Sequence, residues 1–236
     1  MTGRKWQYGA LMLIVHLATA CSGQKAPPPP PAANAQEGAT HPAQPAALTA
    51  DTKLVVAFGD SLYAGYNLDQ NKGLAPMLEH ALNKDGIKVQ VVNAGVSGDT
   101  SAAGLARLAF TLDGLPRKPD LILVGLGGND MLRGLSPAET RKNLDAILTQ
   151  VQQRGIPILL TGMLASPNMG PDYAAAFNPI FPELAKKHDA TLYPFILDGV
   201  IGHRDLQLED GIHPNPKGVE MIVTHLAPLT SRALGS

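Results

Sequence analysis

Five short runs of β-branched and aliphatic residues recur along the chain, each parted from the next by a stretch with helical spacing, and this alternation limits the fold more than any other feature. The runs are Lys53 to Phe58, Val89 to Val92, Leu121 to Val124, Ile156 to Leu160 and Leu192 to Leu197. Their length and composition predict buried strands. Helical spacing covers Leu74 to Lys84, closed by Gly86, then Ser101 to Leu112, Pro137 to Arg154, closed by Gly155, and Tyr173 to His188. In the third helix Ser136 is the expected N-cap, Pro137 the first helical residue and Glu139 a capping-box acid, with Leu144, Ile147, Leu148 and Val151 on one face. Such alternation calls for a parallel sheet covered on both sides, and right-handed crossovers narrow it to a three-layer α/β/α, flavodoxin-like doubly wound sheet of about five strands. A closed eight-stranded barrel, the nearest rival, needs more residues than remain.

The chain before the first strand is of another kind. Arg4 and Lys5 precede an uncharged apolar run from Ala10 to Leu17, followed by Ala18, Thr19 and Ala20, which together read as an export signal too short to span a bilayer. The next residue, Cys21, is the only cysteine among 236 residues. It stands where a lipoprotein signal places its acylated thiol, although Ala18 fits that pattern less well than the usual leucine, and simple secretion is the alternative. A lone cysteine excludes an intrachain disulfide. Residues 22–50, with Pro27 to Pro31 in a row, are too poor in core-forming side chains to fold and read as an extended tether. The expected division is therefore a signal over 1–21, a tether over 22–50 and one catalytic-sized domain over 51–236, exported to the periplasm and held at a membrane through Cys21. A formal net charge of −1, with no basic cluster, argues against a nucleic-acid partner.

Ligands of a doubly wound sheet sit beyond the carboxyl ends of its strands, and four polar clusters fall there. Gly59-Asp60-Ser61 follows the first strand, where a serine near a helix start has backbone N–H groups around it that favour negative charge. Asn93 to Thr100 follows the second; here Gly98 offers an unobstructed N–H and either Asp99 or Thr100 caps the next helix. Gly125-Leu126-Gly127-Gly128-Asn129-Asp130 follows the third and lacks the Lys-Ser/Thr of a phosphate-binding loop. Near the C-terminus stands Asp210-Gly211-Ile212-His213, where an aspartate three residues before a histidine in a tight turn can set its carboxylate against the imidazole. His16 and His41 precede the domain, His80, His188 and His225 are expected on helix surfaces in water, and His203 has no local acid as well placed, so His213 is the candidate base.

These four clusters, in order, resemble those of the SGNH, or GDSL, hydrolase family. Gly59 to Gly65 (GDSLYAG), Ser97 to Ser101 (SGDTS), Gly104 to Leu108 (GLARL) and Gly127 to Gly134 (GGNDMLRG) are similar to its thioesterase I, lysophospholipase and arylesterase branch. Two departures are Tyr63, where a small residue is usual, and the segment after Gly162, which has no distinctive motif. The resemblance implies a Ser61 nucleophile, His213 as base, Asp210 as the acid that orients it, and an oxyanion hole from the N–H groups of Ser61 and Gly98 with the Asn129 side chain. It implies hydrolysis of small to medium acyl esters or thioesters through an acyl-enzyme, with neither cofactor nor metal. Asp60 and Asp130 are expected to support loops. Phe58 and Phe110 are expected in the core, and Tyr63, Tyr66 and Tyr173 are candidates for lining the substrate cleft. An O-acetyl esterase acting on cell-wall or capsular carbohydrate is the nearer alternative; a catalytically silent, lipid-anchored binding module is the alternative of another class.

Overall fold

A computed structural model describes residues 51–235. The expected signal, the expected tether and Cys21 lie outside these residues. Five strands, β1 (Lys53–Gly59), β2 (Val89–Gly95), β3 (Leu121–Gly125), β4 (Ile158–Thr161) and β5 (Thr191–Tyr193), form one sheet in the order β2-β1-β3-β4-β5, with every neighbouring pair parallel. This is the flavodoxin-like order, which changes direction between β1 and β3.

Among the described residues eight α-helices cover the sheet: α1 (Ser61–Ala64), α2 (Leu74–Lys84), α3 (Ser101–Asp113), α4 (Gly128–Leu132), α5 (Pro137–Gln153), α6 (Pro171–Phe177), α7 (Ile180–Lys187) and α8 (Pro216–Ala233). α2 and α8 pack together on one face, while α3 lies against α5 and α6 and α7 extend that second layer. The three-layer architecture expected from the alternation is the one found. Its central strands are apolar on both faces because both faces are covered: Leu54 to Phe58 and Leu121 to Val124 are fully buried.

Several elements differ from expectation. The fifth strand ends at Tyr193 instead of reaching Leu197, because Pro194 has no N–H to continue a ladder. The helix expected from Tyr173 to His188 is two helices, parted at Asn178-Pro179, where the proline ring and its missing N–H disfavour an unbroken turn. Ser136 does start α5, with Pro137 behind it, but its side chain accepts no capping hydrogen bond and Glu139 pairs with Lys142 at 3.7 Å, so the capping box does not form. Phe110 is 84% exposed. On α3 the core face belongs to Leu108 and Leu112, and a residue two positions from each points to the other side of the helix. His188 is buried, not solvated: its ring nitrogens meet Asp145 at 2.6 Å and Gln152 at 3.1 Å, both on α5.

Candidate active site

β1 leaves the sheet at Gly59, and the chain turns at once into the single-turn helix α1, whose first residue is Ser61. The buried Asp60 caps it, Oδ1 accepting from Leu62 N at 3.1 Å. The ends of three strands lie in register beneath, with Gly59 beside Gly95 and beside Gly125. A Cβ on Gly59 or Gly125 would collide with the Tyr63 ring, and one on Gly95 with the backbone of Ala64. The glycines are thus the floor on which α1 rests. Tyr63 is the correction that follows: it has 0% exposure and does not line a cleft. Its ring fills the space above the glycines and its hydroxyl pairs with Thr161 Oγ1 at 2.9 Å.

The candidate base stands 152 residues further along the chain. His213 Nε2 is 2.8 Å from Ser61 Oγ, and His213 Nδ1 is 2.7 Å from Asp210 Oδ2. The other Asp210 oxygen accepts from the backbone N–H groups of Ile212 and His213 at 2.9 and 3.0 Å. Partial burial raises the Asp210 carboxyl, but these two N–H groups and the imidazole outweigh it and hold the group below its ordinary value. The aspartate is therefore ionised at neutral pH. The turn is closed by Leu208 N to the His213 carbonyl at 2.8 Å and by Gln207 Nε2 to the Gly211 carbonyl at 2.7 Å.

Gly98 sits in a turn from Val96 to Asp99 at φ +87, a left-handed conformation that glycine adopts without strain. Among the described residues its N–H meets no protein acceptor. Thr100, not Asp99, caps α3, accepting from Ala103 N at 3.3 Å. Asn129, on α4, points Nδ2 at the Asp99 carbonyl, 3.0 Å away, and lies 3.5 Å from Asp60 Oδ2. The same amide thus touches the residue before Ser61 and the residue after Gly98, so the three oxyanion candidates share one edge. Asp130 is buried and supports this edge, taking Ser101 N at 2.7 Å, Ser101 Oγ at 2.5 Å and Thr140 Oγ1 at 3.2 Å.

A family model of the GDSL-like lipase/acylhydrolase family matches residues 57–221, which span all four clusters. The chain belongs to that family. Among curated relatives, esterase TesA of Pseudomonas aeruginosa is 41% identical over 184 residues, covering 76% of this chain and 90% of its own. Thioesterase 1/protease 1/lysophospholipase L1 of Escherichia coli K12 is 40% identical over 181 residues, covering 77% and 84%. Among solved structures, AlinE4, an SGNH-hydrolase family esterase, matches with a TM-score of 0.67 at 50% identity over 79% of this chain and 99% of its own.

Within this GDSL-family chain, Tyr66 is the candidate cleft aromatic that does face His213: it is 40% exposed and its ring centroid lies 4.5 Å from that of His213. Tyr173 is engaged elsewhere, its hydroxyl donating to the Leu135 carbonyl and its ring stacked on Phe177. Among the described residues no group of histidine, cysteine and acidic side chains is placed to hold a metal, and no helix is long and apolar enough to cross a membrane. Two supports escape the sequence reading. Asn215 caps α8 and ties Asp205 and Gln207 carbonyls to it, and Arg107 bridges Asp99 and the Gly59 carbonyl. For Asn215 the signal was present, an asparagine directly before a proline and a helical run; for Arg107 there was none beyond its place in the Gly104 to Leu108 motif.

Proposed function

We propose that this chain is a serine esterase that hydrolyses carboxylic esters or thioesters of small to medium acyl groups, with Ser61 as nucleophile, His213 as base and Asp210 as the acid that orients it. One observation carries the reading: an unbroken path runs from carboxylate through imidazole to hydroxyl, at 2.7 and 2.8 Å. Membership of an acylhydrolase family, and relatives named esterase and thioesterase, support the reaction class.

In the first half-reaction Ser61 Oγ bonds to the acyl carbon as its proton passes to His213 Nε2. The carbonyl electrons move onto oxygen, where the N–H groups of Ser61 and Gly98 and the Asn129 amide receive the charge. Ser61 contributes because the first N–H groups of a helix have no acceptor within it. Collapse of the tetrahedral species breaks the bond to the alcohol or thiol, which leaves with the proton held by His213. Water then repeats the sequence on the acyl-enzyme and releases the acid.

The aromatic surface that would favour a carbohydrate O-acetyl substrate reduces here to Tyr66, which supports an acyl ester over that alternative. Export, with lipid attached to Cys21 and residues 22–50 as a tether, completes the proposal. A fluorophosphonate probe is expected to label the wild-type chain and not Ser61→Ala; an unlabelled wild type would favour a silent binding module instead.

A further inference from the structure

The turn that carries Gly98 is held at both ends by a single carbonyl. At its start, Val96 N donates to Gly59 O at 3.0 Å. At its end, Asp99 Oδ2 accepts from Arg107 Nε at 2.6 Å, and a terminal nitrogen of the same guanidinium donates to Gly59 O at 3.0 Å. Both lone pairs of that oxygen are thereby used. Within the turn, Asp99 N closes onto Val96 O at 3.1 Å, and its own carbonyl receives Asn129 Nδ2.

The consequences follow the chain. Gly59 is two residues before Ser61, Asp99 is the residue after Gly98, and Asn129 is tied to Asp99. One guanidinium therefore joins two of the three segments, those of Ser61 and Gly98, and the Asn129 amide ties the third to Asp99; the guanidinium touches none of the donors. The register between β1 and β2 ends at Gly59 and Gly95, so beyond Val96 side chains hold the turn: Arg107 at Asp99, and Arg133, which donates to Gly98 O at 2.8 Å. The guanidinium is itself steadied by the buried Phe58 ring, whose centroid lies 4.1 Å from Arg107 Cζ.

We infer that Arg107 is a positioning residue whose bridge between Asp99 and the Gly59 carbonyl fixes the spacing of the oxyanion donors. The inference rests on the proposed serine mechanism. The planar fork sets Nε and a terminal nitrogen on the two acceptors in fixed directions, whereas an ammonium, although it has three N–H groups, is a point charge on a flexible stem and does not fix the two acceptors relative to each other. Small displacements of preorganised donors cost on the order of 10²-fold in rate.

The test uses the full chain with p-nitrophenyl butyrate. In Arg107→Gln and Arg107→Lys, kcat is expected to fall by roughly 10- to 100-fold while KM stays within about twofold of the wild type, since binding the ground state asks little of the oxyanion donors. Lysine, which keeps the charge, is expected not to restore the rate. In an Asn129→Ala background the same Arg107→Gln change is expected to cost less than it does in the wild type, because one of the three donors whose spacing the strap fixes is already gone. Asp99→Leu, of similar size and without an acceptor for Arg107 Nε, gives the same comparison should the Arg107 variants fail to fold. A kcat within about threefold of the wild type in folded variants, full recovery by lysine, or an undiminished loss in the Asn129→Ala background would each overturn the inference. Failure of the wild type to label with fluorophosphonate would instead remove the serine mechanism on which it rests.

Discussion

Asp60 carries a titration that the fold has moved. Burial raises its carboxyl; the Leu62 N–H and the positive charge of His213 pull it back, Asp99 adds repulsion, and the balance pushes it up to about 6 from an ordinary 3.8. Between those two values the folded protein holds a proton that the unfolded chain has released. The folded state binds more protons there, so stability falls as pH rises through the window, and the full loss is present above about 6. At 1.36 kcal/mol per unit, the shift from 3.8 to about 6 corresponds to ~3 kcal/mol. Asp60→Asn keeps an oxygen for the Leu62 N–H but has no charge to desolvate. Its amide meets Asn129 Nδ2, now 3.5 Å from Asp60 Oδ2, at a cost that does not depend on pH. The quantity to measure is therefore the stability of variant minus wild type, by urea unfolding at several pH values from 4 to 7. That difference is expected to rise in favour of the variant by ~2–3 kcal/mol across the range. A difference flat to within about 0.5 kcal/mol would show that the buried carboxylate is not the destabilising group the argument requires.

Three further substitutions, at two residues, probe the same edge. Asn129→Ala is expected to leave the unfolding midpoint close to the wild type and to lower ester turnover by roughly 10²–10³, read from kcat with p-nitrophenyl butyrate; an unchanged kcat removes the amide from the oxyanion hole. Tyr63→Phe loses only the hydrogen bond to Thr161 and is expected to cost about 1 kcal/mol with activity retained, whereas Tyr63→Ala empties the space above the glycine floor and is expected to cost about 3–5 kcal/mol and to take the ester hydrolysis of Ser61 with it. Urea unfolding and the ester assay separate the two variants, and full activity in Tyr63→Ala would show that α1 holds Ser61 without this anchor.

What could be read in advance divides by the range of the forces involved. α2 was legible to the residue because its spacing and closing signals are local. The break at Asn178-Pro179 was equally available, since a proline inside a helical pattern speaks against continuity, and Asn178 now turns its Oδ1 to Ala165 N at 2.8 Å. Tyr63 was not legible. Its burial depends on glycines in three strands that come into register only in the folded sheet, and the sequence shows merely an aromatic beside the nucleophile. His188 fails for the same reason: Asp145 and Gln152 lie on a different helix, and no helical pattern around residue 188 announces them.

The two halves of the proton path differ in the same way. Asp210 and His213 belong to a turn whose bonds stay between residues 205 and 218: Asn215 N to Leu206 O, Asn215 Nδ2 to the carbonyls of Asp205 and Gln207, and its Oδ1 to the first N–H groups of α8. This arm assembles from neighbours, which is why its acid and base show in sequence as a single short motif. Ser61 is held by long-range contacts instead, by the glycine floor, by Tyr63 on Thr161 of β4, and by the loops that Arg107 ties. The arms reach each other through the one hydrogen bond at 2.8 Å and the ring of Tyr66 against His213. Their relative placement therefore depends on how α8, whose first N–H groups the asparagine caps, docks against α2, the helix that follows the Ser61 segment, and against β4 and β5. A loosened α8–α2 contact would separate base from nucleophile without disturbing the internal geometry of either.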